Sequence, residues 1–312
     1  MRRAISAVAL LVTWNVDPAI ARACACRGTS GPGAALTMPD ETFGAAAVLV
    51  ARHGLGAWDE RGGYHAFGGS VKQDTFELTL GGAARVHDTV EVAAFAPLVW
   101  SRFVASSGAS GQDETTKGFG DASARLRWEA YRASPIDYDA WVSTVAAGLA
   151  LRAPTGTGSR TAGAGGVGSP ASSTGLGTWE VAGSLDLRLR LSTRWQTGAV
   201  GELAWRAPDT SLGQDRHLGP RGLGRVLIAW FPEPMTSLGA HVDVALEGDV
   251  TYRGETAHGS RQRLVTTGLF GMVDLPHGLR LGGFAAVAPP VANLSINAVA
   301  SVSAGVSLGF SR

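Results

Sequence analysis

The feature that most constrains this chain is a two-residue alternation kept up for most of its length. From about residue 42, stretches of ten to fifteen residues alternate apolar with small or polar side chains. Period two sends successive residues to opposite faces of a strand, and no stretch sustains a helical period. The pattern predicts twelve strands, over 43–57, 75–86, 90–103, 118–131, 140–153, 179–192, 195–206, 223–232, 236–251, 261–275, 278–288 and 297–310. Within 181–191, for example, Val181, Leu185, Leu187, Leu189 and Leu191 share one face, and Ser184, Asp186, Arg188 and Arg190 the other.

The connections sort by parity. Residues 87–89, 193–194, 233–235 and 276–277 make short joins, and 132–139 is an intermediate join where a short one is due. Segments 58–74, 104–117, 154–178, 207–222 and 252–260 make long ones. Tight turns at one end and long loops at the other are the habit of a transmembrane β-barrel, periplasmic and extracellular respectively. A soluble sandwich, the rival fold, has no reason to sort its loops this way. The strands also exceed the roughly 5–6 residues of soluble ones and suit a tilted crossing of about 9–11. The expected fold is an all-β, antiparallel, up-and-down transmembrane barrel of about 12 strands. Period two is symmetric, so it leaves open which face is inside.

Composition closes other routes. Charged residues are 17% of the chain, against ~25% on average, while apolar residues are 45%, too many for a disordered chain. After the first turns, no apolar run approaches the ~20 residues of a membrane helix. A net charge of +1 supplies no field for nucleic acid. No βαβ unit follows the Gly-rich stretches, and the histidines show no metal-ligand spacing. His241 with Asp243, and Ser301, are the only raw material for hydrolysis. A charge ladder and polar alternation explain them better, so neither catalytic residue, metal nor cofactor is expected.

The start of the chain reads as an address. Arg2 and Arg3 precede an apolar run over 4–12, and Ala21-Arg22-Ala23 fits a cleavage site. The expected division is a signal peptide over 1–23, a periplasmic stub over 24–41 and an outer-membrane barrel over 42–312. Cys24 and Cys26 are compatible with a free, disulfide-bonded or lipidated state.

If the apolar faces meet lipid, the alternate faces line the lumen. The predicted lining is Glu91, Arg125, Arg127, Glu129, Asp186, Arg188, Arg190, Glu202, Arg206, His241, Asp243 and Glu247. Tryptophans near strand ends predict an aromatic girdle at headgroup depth. Trp100, Trp179 and Trp205 fall on the outer rim, and Trp128, Trp141, Trp195 and Trp230 on the periplasmic rim. Phe310, two residues from the end, is the expected signal for the barrel assembly machinery.

Three short motifs carry a family resemblance. They are Gly118-x-Gly120-Asp121 at a strand opening, Pro154-Thr155-Gly156 at a strand end, and Gly175-x-Gly177-x-Trp179 at the next opening. This order resembles the Gram-negative outer-membrane barrel family named after the meta-pathway of phenol degradation, best across 118–190. The resemblance implies a transport barrel. Read physically, the motifs are corners: glycine relieves crowding, proline ends a ladder, and Asp121 either accepts backbone N–H bonds or faces the lumen mouth.

The expected function is passive diffusion of a small solute through a charge-lined lumen in the outer membrane of a Gram-negative bacterium. The partners are lipid, the assembly machinery and the solute, with no nucleic acid. The alternative is a structural or interaction barrel with a closed lumen, acting through its extracellular loops.

Overall fold

The computed structural model describes residues 41–68, 71–105, 112–133, 141–156, 174–211, 214–233 and 235–312. The expected signal peptide, both cysteines and the stub up to residue 40 lie outside the described residues. Twelve strands form the wall: β1 Phe43–Trp58, β2 Val71–His87, β3 Val90–Ala105, β4 Ser123–Arg132, β5 Val142–Arg152, β6 Glu180–Arg190, β7 Trp195–Arg206, β8 Arg221–Glu233, β9 Thr236–Glu247, β10 Gln262–Asp274, β11 Leu279–Val287 and β12 Val299–Ser311. Each pairs antiparallel with its neighbour in sequence, and β12 pairs with β1 from Gly44↔Ser311 to Ala57↔Val299. The sheet therefore closes on itself, and no wall strand leaves a row of unpaired backbone groups. No α-helix occurs among the described residues.

All twelve predicted strands are present, and three of their ends shift by more than two residues. β2 begins at Val71, because Lys72, Gln73 and Asp74 stay in register with Val104, Phe103 and Arg102. Their polarity hides the strand from a hydrophobic pattern. β4 begins at Ser123; Gly118 and Phe119 belong to a separate strand, Gln112–Phe119, which pairs with the far half of β3. β9 ends at Glu247, where the Gly248 N–H turns to the Pro220 carbonyl at 2.9 Å.

The two ends of the barrel differ. The start of β1, the end of β12 and the short turns share one end, termed the termini end. There Pro276-His277-Gly278 reverses the chain with His277 at φ 64° and Gly278 at φ 74°. A Cβ on Gly278 would overlap the Ser311 carbonyl, so this position needs glycine. The far end carries the long loops. Tyr64–Ala66 adds to β1, while Asp209–Ser211, Gln214–His217, Thr251–Tyr252 and Glu255–Thr256 form a four-stranded sheet of their own.

The seam is clasped at the termini end. Thr42 and Phe43 N–H groups donate to the Arg312 carbonyl at 2.7 and 3.0 Å. The Glu41 carboxylate accepts from Arg280 Nη2 at 2.5 Å and from Ser311 Oγ at 2.7 Å.

Candidate functional site: the barrel interior

Burial decides the question that alternation left open. On β6, Leu185 is 69% exposed and its polar neighbours on the other face, Glu180 and Arg188, are each 2%. Leu269, Val226, Leu149 and Val306 are likewise exposed on β10, β8, β5 and β12. A soluble barrel does the reverse. The apolar set faces out all round the wall and the charges face in, which is the arrangement of a barrel solvated by lipid.

The inward charges are organised as ion pairs, both within strands and between them. At the far end, Glu180 lies 3.3 Å from Arg152, 2.9 Å from Arg206 and 3.0 Å from Arg221. Arg206 holds Glu247 through both terminal nitrogens at 3.0 Å, and Arg221 reaches Glu202 at 2.7 Å. This chain ties β5 to β9. Nearer the termini, Glu129 gathers Arg127, Arg85 at 3.3 Å and Arg132 at 2.8 Å, while Asp186 takes Arg188 at 2.7 Å. Between them Arg225 grips Asp243 in a fork of 2.6 and 2.7 Å. The fork suits a planar guanidinium on a carboxylate. Removing one partner of such a pair leaves a buried charge uncompensated, at a cost of about 3–5 kcal/mol.

The remaining residues expected inside take the following places. Glu91 is buried on β3 and Arg190 is half-buried on β6. Arg125 is exposed to the interior, with its guanidinium 6.0 Å from the Phe95 ring. The His241 side chain is 1% exposed, stacks on Phe270 and lies 3.8 Å from Asp243. Sequence reading missed Arg85, Arg132, Arg152, Glu180, Arg221, Arg225 and Arg280. Their signal was the same alternation, but on β8 the opposite face holds Gly222 and Gly224, which blunts the contrast.

It also missed the aromatic part of the interior. Phe95, Phe270 and Phe284 face inward, each directly paired across strands with a glycine: Gly81, Gly239 and Gly305. A Cβ on any of these glycines would overlap the partner ring. The rings therefore lie flat along the wall, a known device for offsetting the weakness of glycine in a strand. Leu227, Ala229 and Phe231 pack beside Phe270 and Phe284. A cavity of about 570 Å³ opens in the far half of the interior, bounded by β1, β2 and β9 to β12.

The tryptophans stand near strand ends. Trp128, Trp141, Trp195 and Trp230 are outward at the termini end, with Trp195 and Trp230 stacked at 6.3 Å. Trp179 and Trp205 are outward at the far end, and Trp100 meets Phe76 at 5.2 Å. Trp58 differs: it is buried, and its Nε1 donates to the Val291 carbonyl at 2.9 Å. Phe310 is outward on β12.

The three glycine-rich motifs converge at the far rim of β4 to β6. Asp121 accepts from the Gly156 N–H at 3.0 Å and the Leu176 N–H at 2.6 Å. Thr155 Oγ1 accepts from the Ala122 N–H at 2.8 Å and donates to the Gly120 carbonyl at 2.7 Å. A Cβ on Gly175 would overlap the Asp121 carboxylate. Of the two roles open to Asp121, the structure shows the backbone acceptor.

Closed, lipid-facing and charged within, the chain has the architecture of a twelve-stranded outer-membrane barrel. It is similar to the structure of an outer-membrane channel from Pseudomonas putida F1, with a TM-score of 0.71 at 16% identity, covering 91% of this chain and all of that one. The transport unit of the autotransporter AIDA-I from Escherichia coli gives 0.50 at 9% identity, over 87% of this chain and 90% of that one. The toluene transporter TodX of P. putida gives 0.44 at 10%, over 91% and 95%. No known protein family and no curated protein matches the sequence. At these identities the likeness is one of fold.

Proposed function

We propose that this chain is an outer-membrane channel that passes small solutes by passive diffusion. One observation carries the reading. The apolar face meets lipid, while the interior joins fixed ion pairs to a cavity of about 570 Å³. Charge-lined interiors tune what crosses by size and by field. In this reading Glu91, Arg125, Arg127, Glu129, Asp186, Arg188, Arg190, Glu202, Arg206, His241, Asp243 and Glu247 line the path. The seven outward tryptophans anchor the two lipid interfaces, with the termini end in the periplasm. Phe310 is read by the assembly machinery, and residues 1–23 are removed on export. The Asp121 hub supports membership of the phenol meta-pathway barrel family, because its three motifs act as one unit.

The test is liposome swelling by the chain refolded in detergent, with solutes graded in size. Swelling with a size cut-off is expected. A folded barrel that gives no swelling overturns the channel reading in favour of a closed lumen working through its loops.

A further inference from the structure

The chemistry of the far-half cavity is selective. Its two carboxylates are already taken: Asp243 by the fork of Arg225, and Glu247 by Arg206. Arg52, exposed on the cavity wall, makes no ion pair with any described residue. The cavity therefore offers one free charge, and it is positive. Hydrogen-bonding groups surround it. The Gln73 and Gln262 amides and the Thr266 and Ser301 hydroxyls line it without a side-chain partner among the described residues. His241 sits in the lining with both ring nitrogens unpartnered and its side chain 1% exposed. A buried, unpaired ring of this kind costs free energy unless something else completes its hydrogen bonds. No Phe, Trp or Tyr lines the cavity among the described residues, so no platform for an aromatic solute is present.

We propose that this cavity binds a small polyhydroxylated carboxylate, with Arg52 holding the carboxylate and His241, Gln73, Gln262 and Ser301 holding hydroxyls. The volume lies within the ~300–1,000 Å³ usual for small-molecule sites. The free guanidinium selects an anion, since a fork of donors matches a carboxylate. The amides and hydroxyls select a solute that both donates and accepts. A cation would find no free carboxylate in the lining. The proposal relies on the channel reading only for how the solute arrives.

Calorimetry on the full chain refolded in detergent tests it, with gluconate, glucose and acetate as probes. Gluconate is expected to bind about tenfold or more tightly than either comparator, because it alone uses both the charge and the hydroxyl partners. Arg52→Gln is expected to remove that advantage over glucose, and Arg52→Lys to keep part of it. His241→Phe is expected to weaken gluconate and glucose alike while sparing acetate. Equal affinity for gluconate and acetate overturns the hydroxyl half, equal affinity for gluconate and glucose overturns the anchor, and no binding overturns both. Binding is read here without transport. A barrel that swells liposomes yet binds no gluconate refutes this site alone, and one that binds gluconate yet swells nothing refutes the channel alone.

Discussion

Asp121 shows how much one side chain can organise at a rim. Its carboxylate closes two loops at once, through the amides of Gly156 and Leu176. Hydrogen bonds to a charged group contribute about 1.5–3 kcal/mol each. Asp121→Ala should therefore lower the thermal unfolding midpoint in detergent, and Asp121→Asn should recover part of the loss. An unchanged midpoint in the alanine variant would remove the hub from the account. Asp59, beyond the far end of β1, is a smaller case. His65 at 3.1 Å, with the Gly63 and Arg61 amides, holds its carboxyl below the ordinary value of 3.8. A depressed carboxyl contributes stability above its unfolded pKa and loses it as pH falls through the folded one. The turn over 59–65 should thus persist at pH 5 and loosen only below 3.8. His65→Ala should raise the Asp59 titration midpoint, as followed by carboxyl carbon NMR.

At the scale of the strand, the flat rings make the sharpest demand. Gly239 lies under Phe270, and a side chain there has no room without lifting the ring. Gly239→Val should destabilise the barrel by about 1–3 kcal/mol through overpacking. It should also push Phe270 toward the axis and reduce single-channel conductance, whereas Gly201→Val, which meets nothing within 4 Å, should leave conductance unchanged. Equal conductance in both variants would refute the ring's position. The existence and order of the strands were legible because lipid and lumen impose opposite chemistries on alternate residues. Loop parity was legible because the two ends do different things. Phe95, Phe270 and Phe284 were not, since a phenylalanine reads as lipid-facing until its glycine partner is known, and that partner lies on another strand. Pairing of Arg206 with both Glu180 and Glu247 was hidden for the same reason: it depends on register across β6, β7 and β9. The Gly-x-Gly-Asp motif was visible as a corner, but only the fold brings Thr155 and Gly175 to it.

For the whole molecule, closure from β12 to β1 joins the first and last strands into one wall and leaves lipid a continuous apolar surface. The seam is guarded by Glu41, Arg280 and Ser311, so the first described residue is part of the closure. The pairing of charges inside has an electrical consequence. A guanidinium locked to a carboxylate presents a dipole, and a dipole's potential decays faster with distance than that of a lone charge. An ion drifting along the axis past Arg225–Asp243 or Arg206–Glu247 therefore meets short-range ripples, whereas the cluster of Arg85, Arg127 and Arg132 on the one Glu129 carboxylate keeps a net positive charge, and Arg52 and Arg125 add lone ones. Lone charges act at a reach set by salt, about 10 Å at 0.1 M and about 3 Å at 1 M. The anion-to-cation permeability ratio should accordingly favour anions at 0.1 M and lose much of that preference at 1 M in reversal-potential measurements. In Arg225→Met, which unmasks Asp243, it should swing toward cations at 0.1 M. Along the stretch from Arg225–Asp243 to Arg206–Glu247 the wall is insulated from the ionic strength of the medium, because there it has already supplied its own counterions.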